Sequence, residues 1–165
     1  MCREKEGDRM KLLVCSDSHG NLEDLRQAVE REQRDQVLHL GDVVWDGQRL
    51  REFYPGLVLE QVRGNCDGYG DGFPEEKELL VGGKRIWMLH GHTYRVKLGV
   101  SLVAEEARVR GVDAVVFGHT HQPLCYLDGN LWVMNPGTIS GFPKATYGLI
   151  ELKDGSINCR TAEIK

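Results

Sequence analysis

Short apolar runs in this chain are followed by polar residues of the kind that bind metal ions, and this repetition constrains the fold more than any other feature. The run at 10–16 (MKLLVCS) precedes Asp-Ser-His at 17–19, and the run at 36–40 (QVLHL) precedes Gly-Asp at 41–42. Runs of this length are typical of buried strands. Between them, residues 21–35 carry apolar side chains at helical spacing. Strand, helix and strand in this order predict a sheet covered by helices.

The rest of the chain is richer in strands. A third strand is predicted within 56–64, a helix over 97–111 and a strand over 113–118. The predicted helix places Leu98, Leu102 and Val109 roughly on one side. Three hairpins are predicted from apolar runs that flank short turns, at 77–92, 124–135 and 146–164.

No internal repeat or linker divides the chain. The sequence therefore predicts a single domain over residues 10–165, preceded by a disordered leader of mostly charged and polar residues at 1–9. The predicted class is α/β, with two sheets packed on each other and helices outside.

Composition narrows the function further. The chain has 165 residues, of which 41% are hydrophobic and 28% charged, as in a soluble globular domain. The formal net charge of -4 and the lack of an Arg/Lys stripe argue against long nucleic acid as a partner. No apolar run is long enough to span a bilayer, so no membrane association is expected. Five cysteines without CxxC spacing indicate a reducing, cytoplasmic location. The oligomeric state stays open, and a homo-oligomer is one of the alternatives.

Five predicted strand ends carry carboxylate, imidazole or amide side chains. Besides 17–19 and 41–42, they are GNCD at 64–67, HGH at 90–92 and GHTH at 118–121. In open α/β sheets, ligands bind outside the carboxyl ends of the strands. A mixed set of oxygen and nitrogen donors suits Mn²⁺, Fe or Zn²⁺ better than a structural cysteine–zinc site does. The sequence thus predicts a metal centre where these ends meet.

Taken singly, each motif also has an ordinary structural explanation. Asp17 is compatible with a helix cap, and Gly-Asp at 41–42 is a common turn. Asp46, beside a glycine, is interpreted as a turn, and His39 as a packed strand residue rather than a ligand. Cys15 and Cys125 are interpreted in the same way as small core residues.

In this order the five motifs resemble the pattern of the calcineurin-like metallophosphoesterases. That pattern is D-x-H, G-D, G-N-[H or C]-[D or E], a His followed by small residues, and G-H-x-H. The short length, the GNCD and HGH forms, and NPGT at 135–138 are most similar to the small YfcE-type phosphodiesterase subfamily. The resemblance covers nearly the whole chain from Met10 onward. It implies a four-layer αββα sandwich of two mixed β-sheets with flanking helices.

The resemblance also implies a binuclear metal centre. One ion would be held by Asp17, His19, Asp42 and His121. The other would be held by Asp42, Asn65, His90 and His119, with Asp42 bridging the two. Manganese is the expected metal, with iron, zinc or nickel as alternatives. Such a centre would hydrolyse a small phosphoester, most specifically a phosphodiester, by attack of a hydroxide that bridges the ions.

Four residues are interpreted as catalytic or supporting groups: Asn65, Cys66, Asp67 and His92. Much of the family carries a His at the position of Cys66, where it can protonate the leaving group while the next acidic residue steadies it. A thiol is a poor substitute, since its reference pKa is about 8.5 and it is a weak hydrogen-bond donor. The sequence therefore favours diesters and activated aryl esters over alkyl monoesters. His92 has no role in the pattern and is expected beside the ligands rather than among them.

A binding function is the alternative to catalysis. The retromer cargo-sorting subunit resembles the same subfamily, including the HGH, GHTH and NPG features, yet works as a protein-binding scaffold with an incomplete metal site. Here all seven candidate ligands are of a competent type, which favours catalysis. The glycine-rich loops at 67–73 and 135–146 are expected to flank an open site.

Overall fold

The computed structural model describes residues 9–69, 72–141 and 144–164. Its ten strands are β1 (Arg9–Cys15), β2 (Gln36–His39), β3 (Leu59–Gln61), β4 (Glu76–Val81), β5 (Lys84–Leu89), β6 (Ala114–Val116), β7 (Pro123–Asp128), β8 (Leu131–Pro136), β9 (Thr146–Lys153) and β10 (Ser156–Glu163). The α-helices of these described ranges are α1 (Leu22–Arg31), α2 (Val44–Phe53) and α3 (Ser101–Arg110). Two short 3₁₀ helices, His92–Tyr94 and Val96–Leu98, precede α3.

The strands form two mixed sheets of five strands each. The first has the order β10-β9-β1-β2-β3, and its members β1, β2 and β3 are parallel to one another. The second has the order β4-β5-β6-β8-β7, in which β5, β6 and β8 are parallel. Hairpins supply the antiparallel strands at the edges. All three predicted hairpins are present, and the predicted pair of mixed sheets is confirmed.

Alternating side chains of β1 show why the two sheets stack. Leu12 and Val14 belong to a buried cluster that includes Met88 and Val116 of the second sheet. The residues between them, such as Leu13, instead pack into a cluster with apolar residues of α1 and α2. On the far side, α3 packs on the second sheet in a third cluster. Burial of both faces of each sheet gives the four layers αββα, as expected.

Helix α2 was not predicted, and the interpretation of Asp46 as a turn residue was wrong. Asp46 lies within the first turn of α2 and is 4% exposed. The sequence of this helix does not read as helical, because Gly47 interrupts the run of helix-forming residues. A Cβ at Gly47 would lie 2.2 Å from Nε2 of Gln61, so the glycine allows the helix to approach β3.

Helix α3 also buries a different side from the predicted one. Leu98, Leu102 and Val109 are 85%, 53% and 82% exposed. The side chains that face the second sheet are instead Val103, Ala104 and Ala107. Small residues allow a helix to pack closely, so the largest apolar residues of this segment do not mark its buried face.

In the part of the chain that the structure describes, no helix is long and apolar enough to cross a membrane. Most of the predicted leader, residues 1–8, lies outside the described residues, whereas Arg9 pairs with Lys153 of β9. The cysteines at 15, 66, 125 and 159 are free thiols. His39 is fully buried in β2, as interpreted, and its Nδ1 accepts a hydrogen bond of 3.2 Å from the Gly41 N–H.

Candidate metal centre

The predicted motifs follow the carboxyl ends of five strands that run parallel within their sheets. In the first sheet these strands are β1, β2 and β3, and in the second they are β5 and β6. Six of their side chains form two groups that overlap in one residue. The first group is Asp17, His19, Asp42 and His121, and the second is Asp42, His90 and His119. Within each group, one donor atom from every residue lies within 4.8 Å of the others.

Backbone conformation separates these loops from the rest of the described chain. Eight non-glycine residues there have positive φ, and five of them are members of the two groups. They are Asp17 (56°), His19 (43°), Asp42 (58°), His119 (70°) and His121 (62°). Such conformations are unfavourable for residues with a Cβ and concentrate at functional sites. These unfavourable backbone conformations direct the donor atoms of the five residues toward one another.

Asp17 organises the first group. Its side chain is fully buried, and Oδ2 accepts hydrogen bonds from Ser16 Oγ at 2.6 Å and from the His119 N–H at 3.1 Å. Oδ1 lies 3.1 Å from Nε2 of His121 and 3.9 Å from Nε2 of His19. The side chains of His121 and His19 are 42% and 34% exposed, so this group is the side of the centre that solvent reaches.

His90 organises the second group. It is fully buried, and its Nδ1 donates a hydrogen bond of 2.8 Å to the carbonyl oxygen of Leu40. In a neutral ring this bond leaves the Nε2 lone pair free, which is the usual arrangement for a metal-binding histidine. Nε2 lies 3.4 Å from Oδ2 of Asp42 and 3.2 Å from Nδ1 of His119. The donors thus converge from both sheets.

The Asp42 carboxylate is the residue common to both groups. Its Oδ1 accepts a hydrogen bond of 3.0 Å from the Cys66 N–H. A Cβ at Gly64 would lie 2.1 Å from the same oxygen, so only glycine allows this approach. Gly118 is required for a similar reason, because a Cβ there would lie 2.0 Å from Ser16 Oγ.

The segment after β3 places its three candidate residues in different environments. Asn65 and Cys66 are exposed at the surface, and Asn65 Nδ2 lies 3.6 Å from Cys66 Sγ. Asp67 instead turns inward, where its two oxygens accept four backbone hydrogen bonds. The donors are the N–H groups of Asp42, Val43, Val44 and Gly64, at 2.7–2.9 Å. Asp67 therefore binds the loop of Asp42 to its own loop.

His92 lies beside the second group without belonging to it. Its ring centroid is 5.5 Å from that of His90 and 6.1 Å from that of His119. Its Nδ1 is buried and has no hydrogen-bond partner among the described residues. Burial and the nearby charge of His90 lower the pKa of His92, so this ring is neutral at pH 7.

Three positioning residues were not assigned by the sequence analysis. Asn135 donates hydrogen bonds of 2.9 Å to the Gly118 carbonyl and to Thr120 Oγ1, which holds the GHTH loop. Thr138 Oγ1 donates to the carbonyl of Asp17 at 2.9 Å. The Asp46 carboxylate accepts a hydrogen bond of 2.7 Å from the Gly20 N–H, which links α2 to the loop of the first motif. The NPGT stretch at 135–138 was noted only as part of the resemblance, and it offers the one sequence signal for two of these roles.

The electrostatics of the centre suit cations. Burial opposes ionisation of Asp42, but its hydrogen bond with His90 and the charge of that ring outweigh burial and hold the Asp42 pKa below its usual range. The pKa of Asp17 is also lowered, because His121 and His90 outweigh its burial. Two buried carboxylates that stay ionised need positive partners. Carboxylate oxygens and imidazole nitrogens are ligands that Mn, Fe and Zn accept, so the donor set fits divalent ions of this kind.

Comparison with known proteins identifies the family. A model of the calcineurin-like phosphoesterase superfamily domain matches residues 10–155. The chain belongs to the calcineurin-like phosphoesterase superfamily. It is 31% identical over 158 residues to the probable metallophosphoesterase YsnB of Bacillus subtilis, covering 92% of this chain and 89% of that protein. It is 32% identical over 168 residues to the phosphodiesterase YfcE of Escherichia coli K12, with coverage of 86% and 88%. The predicted resemblance is thus confirmed.

Solved structures agree with the family assignment. A crystal structure of a predicted phosphoesterase from Streptococcus pneumoniae superposes with a TM-score of 0.78 at 26% identity, covering 94% of this chain and 90% of that one. Vacuolar protein sorting 29 from Cryptosporidium parvum superposes with a TM-score of 0.73 at 20% identity, with coverage of 95% and 98%. The second likeness is one of fold alone. Membership of this superfamily makes the chain a phosphoesterase with candidate metal-binding residues at the ends of its strands.

Proposed function

We propose that this phosphoesterase is a phosphodiesterase that works with two divalent metal ions. The observation that carries the proposal is the shared position of Asp42, which belongs to both groups of donors. A carboxylate has two oxygens and can serve two ions at once. Asn65, on the loop whose Cys66 N–H binds Asp42, is assigned as a further ligand of the second ion through its amide oxygen.

Each residue has a part in this proposal. Bound divalent ions would polarise the phosphoryl oxygens and lower the pKa of a water molecule, which supplies the nucleophile. Asp17, His19 and His121 would hold the first ion together with Asp42, while His90 and His119 would join Asp42 at the second. The hydrogen bond from His90 to Leu40 keeps the His90 ring turned toward the centre. Manganese is the metal proposed, since oxygen and imidazole donors suit it.

Leaving-group chemistry explains a preference for activated aryl esters over alkyl esters. Burial and the neighbouring Asp42 carboxylate raise the pKa of the Cys66 thiol, so it is protonated at neutral pH but gives up its proton reluctantly. A strongly basic alkoxide leaving group needs a better acid than this. An aryl oxide departs without one. We assign His92 to contact the substrate, because its ring adjoins the second group and its Nδ1 has no partner among the described residues.

Metal reconstitution followed by a panel of phosphoesters tests the proposal. Protein freed of metal with a chelator should be inactive, and Mn²⁺ should restore hydrolysis of bis-p-nitrophenyl phosphate. The monoester p-nitrophenyl phosphate shares the same leaving group and should be the poorer substrate. Zn²⁺, Fe²⁺ and Ni²⁺ are compared in parallel to identify the preferred ion. Protein that binds two ions per chain and hydrolyses no ester would contradict the proposed function.

A protein-binding role is the second candidate, and one observation favours it. Leu98, Leu102 and Val109 are exposed on and beside α3. A homo-oligomer could cover them. Sedimentation velocity of the wild type and of Leu102→Asp separates the cases, because an oligomer held by this face should dissociate in the variant. A monomer in both would remove this face as an interface between copies of the chain.

A further inference from the structure

A groove of about 610 Å³ lies between residues 96–100 and the segment that includes Thr120 of the GHTH loop. One wall is formed by residues 96–100, which lie between β5 and α3. The other is formed by residues that include Thr120, Gln122 and Leu124. Thr120 stands between the candidate ligands His119 and His121, so this wall shares the loop that carries both. Its volume lies in the range of small-molecule sites, roughly 300–1,000 Å³.

The lining of this groove is apolar with one positive charge. Leu98, Val100 and Leu124 supply apolar surface, and Lys97 is the one charged side chain among the described residues that line it. None of those residues is acidic, although the whole chain has a net charge of -4. The groove therefore carries positive charge in a protein whose net charge is negative, and it favours an anionic occupant.

Lys97 lies at an exposed position of the first wall. Its ammonium is therefore placed to meet a negative group of a molecule that occupies the groove.

Both walls are fixed by contacts within the protein. Val96, which begins the first wall, is 3% exposed, and a Cβ at Gly91 would lie 2.9 Å from its Cγ2. In the second wall, Thr120 Oγ1 accepts a hydrogen bond of 2.9 Å from Asn135. The groove thus does not need to be built by its ligand. A preformed site of this kind gives specificity with little loss of conformational entropy on binding.

We infer that this groove binds the substituent of the phosphodiester that is not the leaving group, and that Lys97 selects substituents carrying an anionic group. The inference rests on the proposed phosphodiesterase function and names its substrate class, a diester with an aromatic or nucleoside-sized anionic substituent. The apolar wall covers the body of the substituent, and the Lys97 ammonium pairs with its charge. No residue of this subsite takes part in bond breaking.

Three esters with one leaving group test the inference. They are the p-nitrophenyl diesters of methyl, phenyl and 4-carboxyphenyl phosphate, each of which releases p-nitrophenolate. Values of kcat/KM for the manganese-loaded protein should rise from methyl to phenyl to 4-carboxyphenyl. The matching phosphinates, in which methylene groups replace both ester oxygens, have no ester bond to hydrolyse and give a binding constant by calorimetry without any turnover. The same order is expected in that measurement.

Two variants assign the selectivity to the groove. Lys97→Gln should lower the ratio of 4-carboxyphenyl to phenyl about 1.5-fold to fivefold, the size expected for one exposed charge pair. Lys153→Gln, a remote lysine exposed in the β9–β10 hairpin, should leave that ratio unchanged. Leu124→Ala should lower the ratio of phenyl to methyl about twofold to fivefold, through lost apolar contact.

The outcomes distinguish the subsite from the proposed function. Equal kcat/KM values for the three esters, with equal phosphinate affinities, would overturn the subsite and leave the phosphodiesterase standing. A uniform loss on all three esters in Lys97→Gln would place that charge on the reacting phosphate instead, which also overturns the inference. Hydrolysis of none of the esters, with the phosphinate order intact, would remove the proposed activity while supporting the groove.

Discussion

The carboxylate of Asp67 accepts a hydrogen bond of 2.9 Å from the backbone N–H of Asp42, the residue shared by the two donor groups. Three more backbone N–H groups bind the same carboxylate. A side chain occupied in this way cannot also orient a proton donor at the substrate. Asp67 is therefore a positioning residue, and its effect on catalysis passes through the Asp42 loop.

Asp67→Asn should destabilise the protein and weaken metal binding together. The amide keeps one acceptor oxygen but loses the charge and the second acceptor, which leaves backbone donors without a partner. Each lost bond of this kind costs about 1–3 kcal/mol. Chemical denaturation and a Mn²⁺ titration measure the two effects. Glu105→Gln, at an exposed position of α3, is the matched control and should change neither. Full stability in Asp67→Asn would show that these bonds do not hold the loop.

Asp42→Ala should lose both metal ions, because both donor groups include this carboxylate. His19→Ala removes a donor from the first group alone and should keep close to one ion per chain. Elemental analysis after reconstitution with Mn²⁺ gives the stoichiometry directly. Asp46→Asn is a useful comparison, since its carboxylate is also buried but binds the Gly20 N–H instead of facing the centre. Two ions per chain in Asp42→Ala would contradict the bridging assignment.

Metal affinity should fall as the pH is lowered from 8 to 6. Burial opposes protonation of His90, but its hydrogen bond to Asp42 and the charges of Asp17 and Asp42 outweigh burial and raise the His90 pKa. The hydrogen bond that His121 donates to the Asp17 carboxylate likewise raises the pKa of His121. Both rings must release a proton before they bind an ion. His119, with a pKa of about 4, is already neutral over this range.

Calorimetry in two buffers with different ionisation enthalpies counts the protons released on Mn²⁺ binding. The number should grow as the pH falls toward 6, and the affinity should fall in step. Release of no protons at pH 6 would mean that His90 and His121 are neutral before the ion arrives. His121→Asn, which removes one of the two rings, should lower the count.

His92→Ala should reduce turnover while leaving the metal content unchanged. The ring lies outside both donor groups, and its Nδ1 has no partner among the described residues, so a role toward the substrate is its proposed use. A loss of about 10–100-fold in kcat/KM is expected for a single hydrogen bond to a charged phosphoryl group. His119→Ala provides the contrast, because it should lose metal and activity together. Loss of an ion in His92→Ala would place that ring among the ligands.

The positions of the candidate ligands could be predicted from the sequence, because each ligand lies directly after a short apolar run or close to its end. A buried strand such as β1 is a short apolar run, and the residues just beyond its end, such as Asp17, must lie at the sheet edge. Helix α2 was not readable, since its glycine contacts Gln61 of another element. The buried side of α3 was misjudged because alanines, rather than leucines, face the sheet.

Positioning contacts were the least predictable part of the site. Asn135 supports a loop 17 residues earlier in the chain, and Thr138 supports one 121 residues earlier. Such bonds depend on which loops the two sheets bring together, and no local period or spacing encodes that. Asp67 shows the same limit, because its position beside Cys66 suggests catalysis while its four partners belong to the backbone.

Cys66 gives the sharpest test of the leaving-group chemistry. It lies at the surface on the loop next to Asp42. Partial desolvation of the thiol and the Asp42 carboxylate raise the Cys66 pKa, so the thiol stays protonated. Cys66→Ala should change the rate on an aryl diester only slightly, since the aryl oxide leaves without a proton. The backbone N–H that binds Asp42 is kept in this variant, so metal content should be unchanged.

Cys66→His should help poor leaving groups selectively. An imidazole at this position can donate a proton to a departing alkoxide, and general acids typically contribute 10²–10⁴-fold where the leaving group is a strong base. Asp67 is held by four backbone groups and will not steady the new ring, so the gain should fall at or below the lower end of that range. The ratio of alkyl to aryl ester turnover in the manganese-loaded protein is the measurement, with Cys125→His as a control for a new histidine away from the centre. An unchanged ratio would show that residue 66 does not face the leaving group. A large loss in Cys66→Ala with both ions bound would instead show that the thiol itself positions the substrate.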